Sequence, residues 1–257
     1  MFGYKLPNFI SKRLFGDRDK WSLVPDENDV CWREWSDCYL DFYYTNQKNG
    51  IGRMVNNAGY RVMGREDFNG KKVLEIGPGD IRHLPYWRKS GTKDVSTTSY
   101  VLADIKEEML LRSSRVLEDA EIPHRTVLLD RDQAKLPFDD EEFDYIVTFY
   151  ALEHINPLGP YLDELKRIIK TGGKLVGAIP AEGGLAWGLG RFLTSRRWLH
   201  KNTNIDPDKI ICWEHPNFAD QILALLEKRF TRDYRSCWPL LIPVLDINLV
   251  IKFVYQK

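Results

Sequence analysis

Between residues 71 and 180, short apolar runs alternate with longer stretches whose apolar positions recur every three or four residues. The runs KVLEIG (72–77), SYVLADI (99–105), RTVLLD (125–130), FDYIVTFY (143–150) and GKLVGAIP (173–180) have the length and side-chain content of buried strands. Between them the pattern predicts a helix from the glycine turn through about Lys89, one over KEEMLLRSSRVLEDA, and one over YLDELKRIIK stopped by Gly172-Gly173. Strands and helices alternating at this spacing predict a doubly wound α/β layer with right-handed crossovers, whose ligands sit at the carboxyl edges of the strands. A helix over roughly 217–229 and a strand from Asn248 onward follow.

Two stretches fall outside this rhythm. Residues 1–70 form an N-terminal arm and a helical cap, with Trp32, Trp35, Tyr39, Phe42, Tyr43 and Tyr44 crowded into 26–64. Those aromatics are expected to pack the cap onto the sheet, with covering of a site as the alternative. Residues 181–217 are a long insertion after the fifth strand, of the kind that serves as a lid or binding loop. The expected organisation is one folded domain: the arm and cap at 1–70, the α/β domain at 71–257, and the insertion on its substrate side.

Charge and composition narrow the classes. Lys+Arg and Asp+Glu both total 37, so no chain-wide electrostatic grip on nucleic acid is expected, although a local basic patch stays open. Cys31, Cys38, Cys212 and Cys237 form no C-x-x-C pair and no zinc-ligand spacing. They read as reduced core thiols in a cytoplasmic protein that holds no metal. The first twenty residues lack the apolar block of a secretory leader. They do mix Phe2, Leu6, Phe9, Ile10, Leu14 and Phe15 with Lys5, Lys12, Arg13, Arg18 and Lys20. An interfacial anchor is one reading of that mixture, and a packing arm is the favoured one because Pro7 interrupts any early helix. Pro239, Pro243, Asp246 and Asn248 exclude a spanning helix in the apolar C-terminal run, so stable membrane insertion is not expected.

The chemistry begins at KKVLEIGPGD (71–80). A dinucleotide fingerprint would place a third glycine at 82, where Arg82 stands, so the nicotinamide or flavin reading is weak. VLEIGPGD resembles instead the first-strand motif of class I S-adenosylmethionine (SAM) dependent methyltransferases, an acid two residues before G-x-G. In that family a further glycine usually occupies the place of Ile81. SAM carries an ammonium and a sulfonium and no phosphate, so it needs no anion-binding nest. Gly77, Pro78 and Gly79 let the backbone come close, and Glu75 is expected to attract the cationic end. The resemblance extends over 71–180 through VLADI, DRDQAKLPFDDEEFDYIV, TFYALEHI and RIIKTGGKLVGAIP. It implies a seven-stranded, mostly parallel Rossmann-like sheet with SAM as cofactor and S-adenosylhomocysteine as product. It also implies that Asp104 takes the ribose hydroxyls, Ile105 lies against the adenine, and Asp132, with Gln133 beside it and Asp130 as fallback, meets the adenine amino group. Phe149 and His83 join the cofactor set, His83 either approaching the amino-acid end of SAM or merely packing.

Methyl transfer to a hydroxyl needs alignment and a base. His154, just past the fourth strand, is the first candidate base, with Glu153 orienting it or meeting substrate. The alternative is that the Glu-His pair only shapes the site. His215 either braces the insertion or reaches substrate. Arg191, Arg196 and Arg197, interleaved with Trp187, Phe192 and Trp198, together with Tyr44, suit an anionic acceptor bearing a ring. The segments EGG, GRFLTSRRW and EHPNF loosely resemble small-molecule methyltransferases of bacterial surface-polysaccharide pathways. The expectation is therefore methylation of a hydroxyl on a small polar acceptor, a phosphorylated or nucleotide-linked sugar of carbohydrate biosynthesis. RNA or protein methylation and a non-catalytic SAM-binding scaffold are the alternatives. No N/D-P-P-Y and no cysteine stand near the fourth strand, so DNA is not an expected partner. Monomer and homodimer both remain open.

Overall fold

The computed structural model describes residues 1–47, 50–87, 98–131, 133 and 135–257, with Asn46 and Gln47 in backbone only. Among these residues a seven-stranded sheet forms the frame. Its strands are β1 (Lys72–Ile76), β2 (Ser99–Asp104), β3 (His124–Leu128), β4 (Phe143–Phe149), β5 (Ile169–Pro180), β6 (Thr231–Trp238) and β7 (Val250–Gln256). They lie in the order β3-β2-β1-β4-β5-β7-β6. The first five run parallel, and β7 inserts antiparallel between β5 and β6. The strand order turns about β1, so the carboxyl ends of β1, β2 and β4 frame the crevice where such sheets take their ligands.

The helices are α1 (Asn8–Phe15), α2 (Arg18–Trp21), α3 (Val30–Phe42), α4 (Gly50–Tyr60), α5 (Leu84–Trp87), α6 (Glu107–Asp119), α7 (Leu158–Ile168), α8 (Leu185–Leu193), α9 (Ser195–Asn202), α10 (Pro207–Glu214) and α11 (Ala219–Glu227). Strand alternation sorts side chains between two cores. Leu74 and Ile76 of β1 point into a core with Leu162 and Leu165 of α7 and Ile222 and Leu226 of α11. Val73 points the other way, into a core with Tyr60, Trp87, Tyr100 and Leu117. Glu75, two residues on from Val73, shares that second face.

Three expectations change. The strand after α7 begins at Ile169, so Gly172-Gly173 does not stop the helix. The glycines lie inside β5, with Gly172 at φ 78° and the pairing with β4 shifting register between Phe143 and Tyr145. Helix α5 is described only through Trp87, and the stretch through Lys89 lies outside the described residues. The cap aromatics do not chiefly pack on the sheet. Trp35 and Phe42 join Leu199, Ile205, Ile210 and Trp213 of the insertion in a core of their own, with Trp32 and Trp198 against it. Trp35 meets Phe42 at 5.0 Å, and Phe42 meets Trp198 at 5.3 Å, both edge-on.

Among the described residues no helix is long and apolar enough to cross a membrane, and no cluster of three metal-ligating side chains occurs.

Candidate active site

The turn after β1 is built on left-handed backbone. Gly77 has φ 67° and Gly79 φ 54°, and a Cβ on Gly77 would stand 2.9 Å from that of Ala151. Ile81, at the place of the family's further glycine, keeps the left-handed conformation at φ 48°. A β-branched residue pays about 1–2 kcal/mol for that. Burial of its side chain, 2% exposed, holds it there. The hydroxyl of Tyr43 lies over the turn, 3.3 Å from where a Cβ on Gly79 would be.

Glu75 does not face this turn. Its carboxylate is 1% exposed, Oε2 accepts the Tyr100 hydroxyl at 2.6 Å, and Oε1 lies 2.8 Å from His83 Nε2. The indole of Trp87 donates to His83 Nδ1 at 2.9 Å, and an indole nitrogen can only donate. His83 therefore carries its proton on Nε2 and gives it to Glu75. Burial and the neighbouring Glu75 push the Tyr100 phenol well up. This chain of four side chains ties α5 to β1 and β2, and Phe149 stacks on the His83 ring at 5.1 Å. Glu75, expected to attract the cationic end of SAM directly or through water, His83, expected to approach SAM or to pack, and Phe149 thus gather behind the turn.

Asp104 stands at the carboxyl end of β2 as expected, its Oδ1 accepting the Lys106 amide at 2.8 Å. Burial pushes its carboxyl up. Ile105 beside it is 44% exposed, a large apolar side chain at the rim of the crevice. Lys106 Nζ lies 3.9 Å from the ring centre of Tyr39, which brings the cap over this rim. Gln133 is exposed and its amide bonds Asp130 at 3.3 Å, while Asp132 lies outside the described residues.

Past β4 a second group gathers. Glu153 and His154 sit on the short turn Leu152–His154. His154 Nδ1 is hydrogen-bonded to the Glu214 backbone oxygen and lies 3.3 Å from its Oε2, while Nε2 is 4.0 Å from Glu153 Oε1. Trp35 of the cap donates to Glu214 Oε1 at 2.8 Å. Burial would push His154 down, but its hydrogen bond to Glu214 and both carboxylate charges override that and raise it to about 9. Burial would likewise raise Glu214, yet His154 pulls it down to about 2. His154 is accordingly an imidazolium at neutral pH, with no lone pair to accept a proton. Glu153 shows the reverse: burial raises it to about 7 despite His154, and its Oε2 is buried without a partner among the described residues.

Residues 74–177 match the family model described as methyltransferase domain. Residues 77–79, 104–105 and 153–154, on the carboxyl edge of the sheet, all fall inside this match. Residues 74–177 form a methyltransferase domain. The demethylmenaquinone methyltransferase of Staphylococcus saprophyticus is 33% identical over 109 residues, 42% of this chain and 44% of that protein. A ubiquinone/menaquinone biosynthesis C-methyltransferase of Idiomarina loihiensis is 32% identical over 109 residues, 42% of this chain and 41% of its own. The match thus spans less than half the length of either relative. The S-adenosylmethionine dependent methyltransferase structure from Mesorhizobium loti superposes with TM-score 0.52 at 18% identity, covering 77% of this chain and 95% of that one. It shares the fold.

The insertion sits outside the matched part of the methyltransferase domain, and its arginines are largely committed. Arg191 is ion-paired with buried Glu182, and Arg196 with Asp208. Burial lowers Arg191 to about 9. Arg197 is exposed. Glu182 also accepts the Trp187 indole at 2.8 Å and lies 3.1 Å from His215 Nδ1. Burial and the nearby Arg191 keep His215 well below its ordinary range, and its ring centre is 4.7 Å from that of His154. His215 thus braces the insertion against the β4 edge. Tyr44 lies with Arg112 5.0 Å from its ring, on α6. The sequence reading missed Glu182 and Glu214. Glu182 carried a readable signal, an acid just past the carboxyl end of β5, the same logic that found Asp104.

Proposed function

We propose that this chain transfers a methyl group from SAM to a small acceptor whose hydroxyl sits on, and activates, an aromatic ring. The observation that carries the reading is the buried, unpartnered Oε2 of Glu153, a carboxyl poised near neutrality at the end of β4.

The residues present fit SAM. Gly77 and Gly79 leave a surface without Cβ atoms, Asp104 offers a half-buried carboxylate for a diol, and Ile105 offers an exposed apolar face for a purine. Gln133 and Asp132 complete the set that the resemblance implies. Bound there, SAM supplies a methyl group already activated by its sulfonium.

The chain's own residues then need only orient an acceptor and take its proton. Glu153 Oε2 accepts the proton of the acceptor hydroxyl. The His154 imidazolium, whose Nε2 lies 4.0 Å from Glu153 Oε1, offsets the negative charge left on the acceptor oxygen. Proton removal serves attack by that oxygen or by a ring carbon that it activates. Trp35, bonded to Glu214, and Tyr39, under Lys106, bring flat aromatic faces to the neighbourhood of this corner.

Two observations favour a ring-bearing acceptor over a sugar phosphate. Arg191 and Arg196, expected to meet an anion, are already neutralised by Glu182 and Asp208. The relatives are named for demethylmenaquinone and ubiquinone/menaquinone substrates. The test is transfer of labelled methyl from SAM to a panel of hydroxylated aromatics and a panel of nucleotide sugars. Label in the aromatics alone is expected, and label confined to the sugars would overturn the acceptor assignment.

A further inference from the structure

The hairpin loop between β6 and β7 presents six consecutive apolar residues, Pro239–Val244, all exposed. Leu240 is 50% exposed, Leu241 69% and Ile242 46%. The loop is not slack. Fully buried Asn248 accepts the Leu240 amide at 2.9 Å and donates to the carbonyls of Ile242 at 3.0 Å and Val244 at 2.8 Å. A buried side chain therefore saturates its hydrogen bonds to hold apolar residues out in water. Such a fixed apolar projection marks a docking surface.

The neighbouring elements carry the same character. Asp246 accepts the amides of Phe2 and Gly3 at 3.1 and 2.7 Å, which staples the chain start to this loop. A Cβ on Gly184 would meet Leu245 O at 3.0 Å, so α8 begins against the loop. A Cβ on Gly188 would meet Phe15 at 2.8 Å, so α1 lies along α8. On these helices Phe9 is 78% exposed, Leu189 52% and Leu193 60%. The last two stand one helical turn apart.

Charge on these elements is one-sided, although the chain as a whole is neutral. Residues 1–16, 183–204 and 237–245 contain no Asp or Glu, yet they carry Lys5, Lys12, Arg13, Arg197 and Lys201 besides the two paired arginines. The acids that touch them are occupied: Asp17 by Lys12, Asp208 by Arg196, Asp220 by the chain amino group and Tyr4, and Asp246 by two amides. Asp19, exposed, lies 3.7 Å from Lys12.

We infer that the β6–β7 loop, α1 and the outer side of α8 form a docking surface for an anionic lipid bilayer. Apolar side chains that enter the acyl boundary, set among lysines and arginines that outnumber the acids Asp19 and Glu34 beside them, match such a surface in both of its properties. A second copy of this chain would bring the same cations against themselves. The inner side of α8 carries Trp187 and Arg191 to Glu182, so docking would set the insertion of the proposed site beside the lipid.

The test is flotation of the full chain with vesicles of phosphatidylcholine alone and of phosphatidylcholine mixed with anionic phosphatidylglycerol. Binding to the anionic vesicles at least tenfold above the neutral ones is expected, weakening as salt rises. Leu240→Ser with Leu241→Ser, both exposed, should cut that binding tenfold or more while circular dichroism and melting stay unchanged. Arg13→Glu should cut it and flatten the salt dependence. No binding to either vesicle, or equal binding by the serine variant, overturns the inference. So does a light-scattering mass of a dimer that the serine variant abolishes without any vesicle binding, since the loop would then be a contact between copies.

Discussion

His154 Nδ1 stands 3.3 Å from Oε2 of Glu214, a residue that the insertion carries back to the end of β4. The pair makes the insertion part of the site's electrostatics and does more than cover it. Following the His154 ring by NMR should give an apparent pKa near 9, and Glu214→Gln should bring it down toward the ordinary 6.5. A value near 6.5 in the unaltered protein would remove the imidazolium from the site.

The same pair makes stability depend on pH. His154 is raised in the folded state, so its contribution is complete below about pH 6.5 and is lost as pH climbs through about 9. The side chain is 37% exposed, so solvent screening reduces the contribution to about 1–2 kcal/mol. His154→Gln should therefore lower the melting temperature at pH 6 and change it little at pH 10. Equal losses at both values would mean that packing, and not charge, is what the ring supplies.

Glu153 is the base in the proposed reaction. Its carboxyl ionises through about 7, so the turnover rate should rise across that region as the base form appears. Glu153→Gln should lower kcat by roughly 10²–10⁴-fold and leave SAM affinity within about a factor of three. Calorimetry on the variant separates the two. A rate that survives the substitution would return the base to another group.

Asp104→Ala should weaken SAM binding by about 1–3 kcal/mol, because charge-assisted hydrogen bonds to a diol are lost. Folding should be spared, since the carboxylate bonds the backbone amides of the two residues that follow, Ile105 and Lys106.

Glu75→Ala should show the opposite pattern. Removing a carboxylate that satisfies both Tyr100 and His83 leaves buried donors unpaired, at a cost of about 2–4 kcal/mol in unfolding free energy. Glu75→Gln should recover part of it. Loss of SAM affinity with unchanged stability would restore Glu75 to the cofactor.

The contrast between these last two acids marks what was legible in the chain. Both were found by the same rule, an acid near the carboxyl end of a buried strand. Asp104 is the last residue of β2 and reaches the crevice. Glu75 is one residue short of the end of β1, on the face shared with Val73, where Tyr100 and His83 wait. Residue type and spacing fix the strand, and side-chain direction fixes the role. The five parallel strands were readable because their apolar runs are local. The cap core was not, because Trp35 finds Trp213 and Leu199 across more than 160 positions. Arg191 and Arg196 were misread for a nearer reason: their acids, Glu182 and Asp208, are close in sequence, and nothing in the spacing said which arginines would be spoken for.

Trp35 and Phe42 lean on the insertion's tryptophans and leucine, so α3 and the segment 181–217 share one aromatic nucleus. A transplant of either part alone from another protein would strand half of a shared aromatic nucleus.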